Sequence, residues 1–328
     1  MVRFGIIGTN WITESFINAA KEVEEFELAA VYSRTEDKAK QFASKFSLEV
    51  TYTDIDAFFA SDQIDAVYIA SPNAIHAEQA IQAMNNGKHV IVEKAIASNT
   101  TEVKALIEAA QANGVLLMEA LKTTFLPNFQ AIEENLHKVG PIRRYFASYC
   151  QYSSRYDAYK EGTVLNAFKP EFSNGSLMDI GIYCIYPMVA LFGKPKQVLA
   201  NAYMLESGVD GQGSVLFDYG QMNGAVMFSK ITNSYLPSEI QGENGSILMD
   251  NISQPTKVEI RYKDGTVEDI TREQKENTMY YEAKAFIDAI NAGQTESTVN
   301  TFERTLVTAS ILEEARQQIG LVFPADQA

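Results

Sequence analysis

Over its first 120 or so residues the chain alternates short apolar runs with amphipathic stretches, and no other feature restricts the fold as strongly. Phe4-Gly5-Ile6-Ile7 reads as a strand and 12–23 as a helix. A strand at 28–32 follows, then a helix at 36–46 with Ala39, Phe42, Ala43 and Phe46 at helical spacing. The pattern continues with a strand at 66–70, a helix at 75–86 closed near Gly87, and a strand at 89–92. A helix at 100–113 closed by Gly114 and a strand at 115–118 complete it. Strand and helix in strict alternation predict an α/β domain, a doubly wound parallel sheet with helices on both faces.

The rhythm changes after Ile142. Strand-like runs at 144–152, 197–204, 214–217, 224–228, 246–249, 258–262 and 267–270 follow one another, with hairpin pairs at Asn244-Gly245 and Asp264-Gly265. Helical stretches are expected at 177–192, 279–291 and 302–319. The expectation is an α+β half with an open-faced, mostly antiparallel sheet. The change of rhythm places the boundary near 120–125, giving domains of 1–122 and 123–328.

With 328 residues, 46% of them hydrophobic, the chain is long enough for two cores. Its formal charge of −15 repels nucleic acid and anionic lipid surfaces, and no dense Lys/Arg run offsets it. No apolar run approaches the roughly 20 residues that span a bilayer, and Met1-Val2-Arg3-Phe4 leads directly into a strand, so neither membrane nor leader is expected. Two cysteines, Cys150 and Cys184, suit a reducing compartment, and a cytoplasmic location is expected. Three histidines without paired spacing give no expectation of a metal.

The first strand runs into Gly8-Thr9-Asn10-Trp11-Ile12-Thr13, at the position of the turn that holds a dinucleotide pyrophosphate against a helix N-terminus. Of the three small positions in G-x-G-x-x-G/A only Gly8 is kept; Asn10, which tolerates positive φ, takes the second and Thr13 the third. At the end of the second strand an NAD site usually carries Asp or Glu. Here stand Ser33 and Arg34, with Lys38 one helical turn on: a hydroxyl, a guanidinium and an ammonium suited to a 2′-phosphate. NADP is therefore expected, with NAD possible.

Further segments converge. Ala70-Ser71-Pro72-Asn73-Ala74-Ile75-His76 follows one strand and Glu93-Lys94-Ala95 the next; Gly140-Pro141-Ile142-Arg143 and Gly175-Ser176-Leu177-Met178-Asp179-Ile180-Gly181-Ile182-Tyr183 come later. Together these resemble the glucose–fructose oxidoreductase/inositol dehydrogenase (Gfo/Idh/MocA) family, nearest its dimeric dihydrodiol dehydrogenase-like branch, over nearly the whole chain. The resemblance implies a Rossmann domain, a C-terminal sheet often used for dimerisation, and hydride transfer between nicotinamide and a carbinol or carbonyl of a sugar, polyol or diol.

It implies roles as well. Lys94 matches the catalytic lysine of a Glu-Lys-Pro motif, with Ala95 in place of proline. Asp179 and Tyr183 match the Asp-x-Gly-x-His/Tyr segment, Tyr183 as proton donor and acceptor. Gly8, Thr9, Asn10, Trp11, Ile12, Ser33, Arg34, Lys38, Ser71, Pro72, Asn73, His76, Glu93 and Lys94 are the expected cofactor contacts. The residues make sense alone too: Ser71 and Lys94 lie just past parallel strands, where open α/β sheets bind ligands, and Asp179 and Tyr183, four apart, share a helix face. A homodimer or homotetramer with a small-molecule substrate is expected. The alternative is a regulator that binds the dinucleotide without chemistry.

Overall fold

A computed structural model describes residues 1–327. They form two compact units.

The first unit holds a six-stranded parallel sheet in the order β3-β2-β1-β4-β5-β6. Its strands are β1 (Val2–Ile7), β2 (Phe26–Tyr32), β3 (Thr51–Tyr52), β4 (Ala66–Ile69), β5 (His89–Glu93) and β6 (Leu117–Ala120). The helices are α1 (Trp11–Ala20), α2 (Glu36–Ser44), α3 (Ile55–Ala60), α4 (His76–Asn85) and α5 (Thr100–Asn113). β4 and β6 are buried at every residue, as a parallel sheet covered on both faces requires. The Phe16 ring of α1 stacks on Tyr68 of β4, centroids 3.8 Å apart. The chain leaves β1 toward β2 and β3, then returns to β4 on β1's other side. This reversal opens the crevice in which such sheets bind ligands.

The second unit contains α6 (Pro127–Asn135), β7 (Ile142–Cys150), α7 (Arg155–Lys160), a π-helical turn at Leu177–Gly181 and α8 (Ile182–Phe192). Seven further strands follow: β8 (Gln197–Met204), β9 (Asp210–Asp218), β10 (Asn223–Ser229), β11 (Ser238–Gly242), β12 (Gly245–Met249), β13 (Val258–Tyr262) and β14 (Val267–Asp269). The eight strands are ordered β14-β13-β12-β11-β7-β10-β9-β8, antiparallel except for β7 beside β10. One face packs on α8, where the Tyr145 hydroxyl donates to the Cys184 carbonyl at 2.9 Å. On the other face Leu199, Tyr203, Leu216 and Met227 stay exposed.

Three expectations need correction. The second domain is not one continuous stretch 123–328. Residues 98–100 already belong to the second unit, the chain enters it again at Lys122, and residues 275–302 return to the first. There α9 (Met279–Asn291) packs on α1, with Phe286 5.8 Å from Phe4 and Asn277 Nδ2 donating to the Ser15 carbonyl at 2.8 Å. The last parallel strand lies at Leu117–Ala120, two residues later than expected, because Val115 and Leu116 are as buried as the strand itself and hydrophobicity marks no edge. The helical run Pro170–Phe192 is, by composition alone, long and apolar enough to cross a membrane, contrary to the sequence reading. Its apolar window is 78% buried, as in a core helix. The final helix, α10 (Phe302–Ile319), falls where its spacing predicts.

Candidate active site

In the first unit, Gly8 follows β1 with φ +108°, and a Cβ there would stand 2.6 Å from the Ala70 carbonyl oxygen, so only glycine fits. Asn10 is not in the left-handed region: its φ is −120° and it is the N-cap of α1. Its Oδ1 accepts from the Ile12 and Thr13 N–H groups at 3.0 and 3.2 Å, and its Nδ2 donates to the Ala70 carbonyl at 3.0 Å. Asn10 is thus a helix cap and a tie to the end of β4. The cap satisfies the Ile12 and Thr13 N–H groups at the start of α1. Thr13 is buried in the helix–sheet contact, Ile12 is half-buried, and Trp11 is 69% exposed.

Past β2, Ser33 is half-buried, and Arg34 and Lys38 are exposed. The nearest carboxylates, Glu36 and Asp37, lie in the first turn of α2, and Glu36 is tied to Lys40 at 2.5 Å. No carboxylate occupies the strand end itself. A glycine turn without room for a side chain, a helix N-terminus and a cationic strand end together fit a dinucleotide with an extra phosphate.

His76 departs from its expected cofactor contact. The ring has no exposed surface. Its Nε2 lies 2.7 Å from the Ser71 carbonyl and its Nδ1 3.0 Å from the Ala95 carbonyl. It therefore joins the loops after β4 and β5. Burial drives its pKa down to about 4; the two carbonyls act the other way, and the charge of Lys94 adds to the lowering. Ser71 is half-buried, and its hydroxyl donates to Gln79 at 2.7 Å. Pro72 is half-buried and Asn73 buried in the turn ahead of α4. Glu93 is buried, with its carboxylate accepting from the Tyr68 hydroxyl at 2.7 Å. Lys94 is half-buried at the end of β5, its peptide bond to Ala95 is cis, and the Ile96 N–H donates to Glu119 at 3.1 Å.

The second unit brings Asp179 and Tyr183 onto one helix, both half-buried. The π turn that carries Asp179 runs into α8, and the Tyr183 ring meets Tyr149 of β7 edge-on at 5.7 Å. Asp179 accepts from the ammonium of Lys230 at 2.5 Å. Lys230 escapes a reading by motif, yet it had a signal: Val226, Phe228 and Lys230 lie two apart on β10 and its extension, which puts the lysine on the buried face. Asp210 escaped as well. It is fully buried, accepts from the Leu177 N–H at 2.7 Å, and burial raises it to about 6. Gly175, φ +144°, leaves room for it: a Cβ there would sit 2.2 Å from its Oδ1.

A six-stranded parallel sheet with a glycine turn at its reversal, joined in one chain to an open antiparallel sheet, is the architecture of a two-domain dinucleotide-dependent oxidoreductase. The chain belongs to the GFO/IDH/MocA oxidoreductase family: the model for its NAD-binding Rossmann fold matches residues 2–121 and that for its C-terminal domain matches 135–248. It is 58% identical over 328 residues, 100% of both chains, to the scyllo-inositol 2-dehydrogenase (NADP(+)) IolU of Bacillus subtilis. It is 28% identical to the trans-1,2-dihydrobenzene-1,2-diol dehydrogenase of Xenopus laevis, covering 98% of this chain and 99% of that one. In fold it is similar to the 3-ketoreductase KijD10 of Actinomadura kijaniata, solved with NADP and TDP-benzene, with a TM-score of 0.86 at 24% identity, over 97% of this chain and 98% of that one.

Proposed function

We propose that this chain is an NADP-dependent dehydrogenase that oxidises a ring carbinol of a polyol, with scyllo-inositol as the first substrate to try. The observation that carries this reading is the end-to-end likeness to the Bacillus subtilis enzyme; the cationic strand end at Ser33 and Arg34 supports the choice of cofactor. Bound nicotinamide supplies the hydride exchange. Tyr183 takes the proton of the reacting hydroxyl during oxidation and returns it during reduction. Lys94 steadies the charge that grows on that oxygen, and Asp179 orients the neighbouring hydroxyls. Nothing in the structure favours the non-catalytic alternative. The test is a panel of inositols, other polyols, sugars and vicinal diols with NADP+, followed at the reduced-nicotinamide absorbance. Absence of turnover across the panel, with NADP bound, removes the enzyme reading.

The cofactor choice has its own test. The Arg34→Asp protein is expected to lose at least about tenfold in affinity for NADPH and much less for NADH, because a charge-assisted phosphate partner becomes a repelling carboxylate. Trp11, the only tryptophan and largely exposed at the start of α1, reports binding by quenching or energy transfer. Equal losses for the two cofactors would rule out Arg34 as the phosphate partner.

We also place the protein in the cytoplasm as a homodimer or homotetramer. Leu199 pairs with Leu216 across β8 and β9, and Met227 lies on the same exposed face of β10. Apolar side chains gathered this way on one open face favour a cover, and a second copy supplies it. Light scattering at micromolar concentration is expected to give a multiple of 36.4 kDa; a monomer refutes the pairing.

A further inference from the structure

We infer that Lys230 is a positioning residue, which acts through Asp179 by fixing the orientation of that carboxylate toward the substrate. This rests on the reading that Asp179 belongs to the substrate site. Lys230 continues the ladder one residue beyond β10. Its N–H donates to the Gly211 carbonyl at 2.9 Å, and its own carbonyl accepts from the Ser153 N–H at 2.8 Å. With the main chain held on both sides, the side chain runs inward and is only 4% exposed. The ammonium ends 2.5 Å from Asp179 Oδ2 and 5.2 Å from the centre of the Phe168 ring. Its charge also acts on the buried carboxyl of Asp210, which holds the Leu177 N–H at the start of the turn that carries Asp179. The ammonium thus binds a carboxylate that remains 29% accessible, on a turn whose start is held by the buried Asp210.

Stability is a poor explanation for this arrangement. Taking an ammonium out of water costs about what its attraction to a carboxylate returns, and a well-packed apolar pair often serves the fold as well. What the pair does supply is direction. A charge-assisted hydrogen bond from a lysine whose stem is packed and whose main chain is fixed limits the orientations open to the carboxylate, 29% of which stays accessible.

The full-length protein tests this through a double-mutant cycle, with NADP+ and a polyol of the panel, scyllo-inositol first, as the reactants. Asp179→Asn is expected to lower kcat/KM by about 10²-fold, and Lys230→Met to come within about threefold of that value. The double variant should lose nothing further, since residues that act as a unit are not additive. The NADP+ dissociation constant, read from Trp11, should stay within about twofold throughout, because the pair acts on the substrate side. Losses that multiply in the double variant, or normal turnover in Lys230→Met, overturn the inference while the site reading stands. Normal turnover in Asp179→Asn overturns the site reading and the inference with it, as does a wild type that binds NADP+ and oxidises none of the panel's polyols, the cycle being run on whichever of them it oxidises. Should Lys230→Met not fold, Lys230→Gln, which keeps a donor without the charge, takes its place in the same cycle.

Discussion

Turnover of the Tyr183→Phe protein is expected to fall by about 10²–10⁴-fold, the usual worth of a positioned proton donor. The ring and its edge-on contact with Tyr149 are kept in this variant, so the loss reports one oxygen and not the packing. NADPH affinity should hardly move. Lys94→Met should bring a similar loss if its charge acts on the reacting oxygen as proposed, and the double variant should then lose less than the product of the two. Near-normal turnover in Tyr183→Phe would remove the tyrosine from the chemistry and leave Lys94 to carry it.

The second large effect is expected at Gly8. In Gly8→Ala a non-glycine residue must adopt φ near +108°, which costs roughly 1–3 kcal/mol, and its Cβ meets the Ala70 carbonyl at 2.6 Å. The turn must move away from the end of β4, and the Asn10–Ala70 tie stretches with it. Dinucleotide affinity should drop by more than about tenfold, which corresponds to 1.4 kcal/mol, and the melting temperature should fall. Titration followed at Trp11 and calorimetry of the same samples measure both. If both stay at wild-type values, this turn is not the phosphate cradle.

Most of the architecture is legible because strand and helix periods are strong where the residues are strongly apolar. The runs at 66–69 and 258–262 and the helices at 279–291 and 302–319 lie where the spacing predicts. What escapes is short or polar. β3 has two residues, α3 is started by the cap of Asp54, and β11, Ser238–Gly242, holds one aliphatic residue, Ile240, and pairs on both sides by backbone. At the candidate site, motifs name residues but not which way they face. His76 is recognisable as part of a segment, yet only the fold shows its ring held between two carbonyls with no surface left. Asn10 looks like a defect in a glycine pattern and is in fact a cap. Lys230 belongs to no motif at all; the clue is that an inward alternation of apolar residues ends in a lysine.

The return of residues 275–302 to the first unit bears on how the protein is made. A nascent chain grown as far as β6 already contains all six strands of the parallel sheet. The apolar side of α1 and the ring of Phe4 still lack Phe286 and its helix, which are translated some 160 residues later. The first unit to emerge from the ribosome is therefore the one that must wait. The whole second sheet, β7 to β14, is synthesised before the first unit receives its last helix. During that interval the side of α1 that α9 later covers is open to solvent.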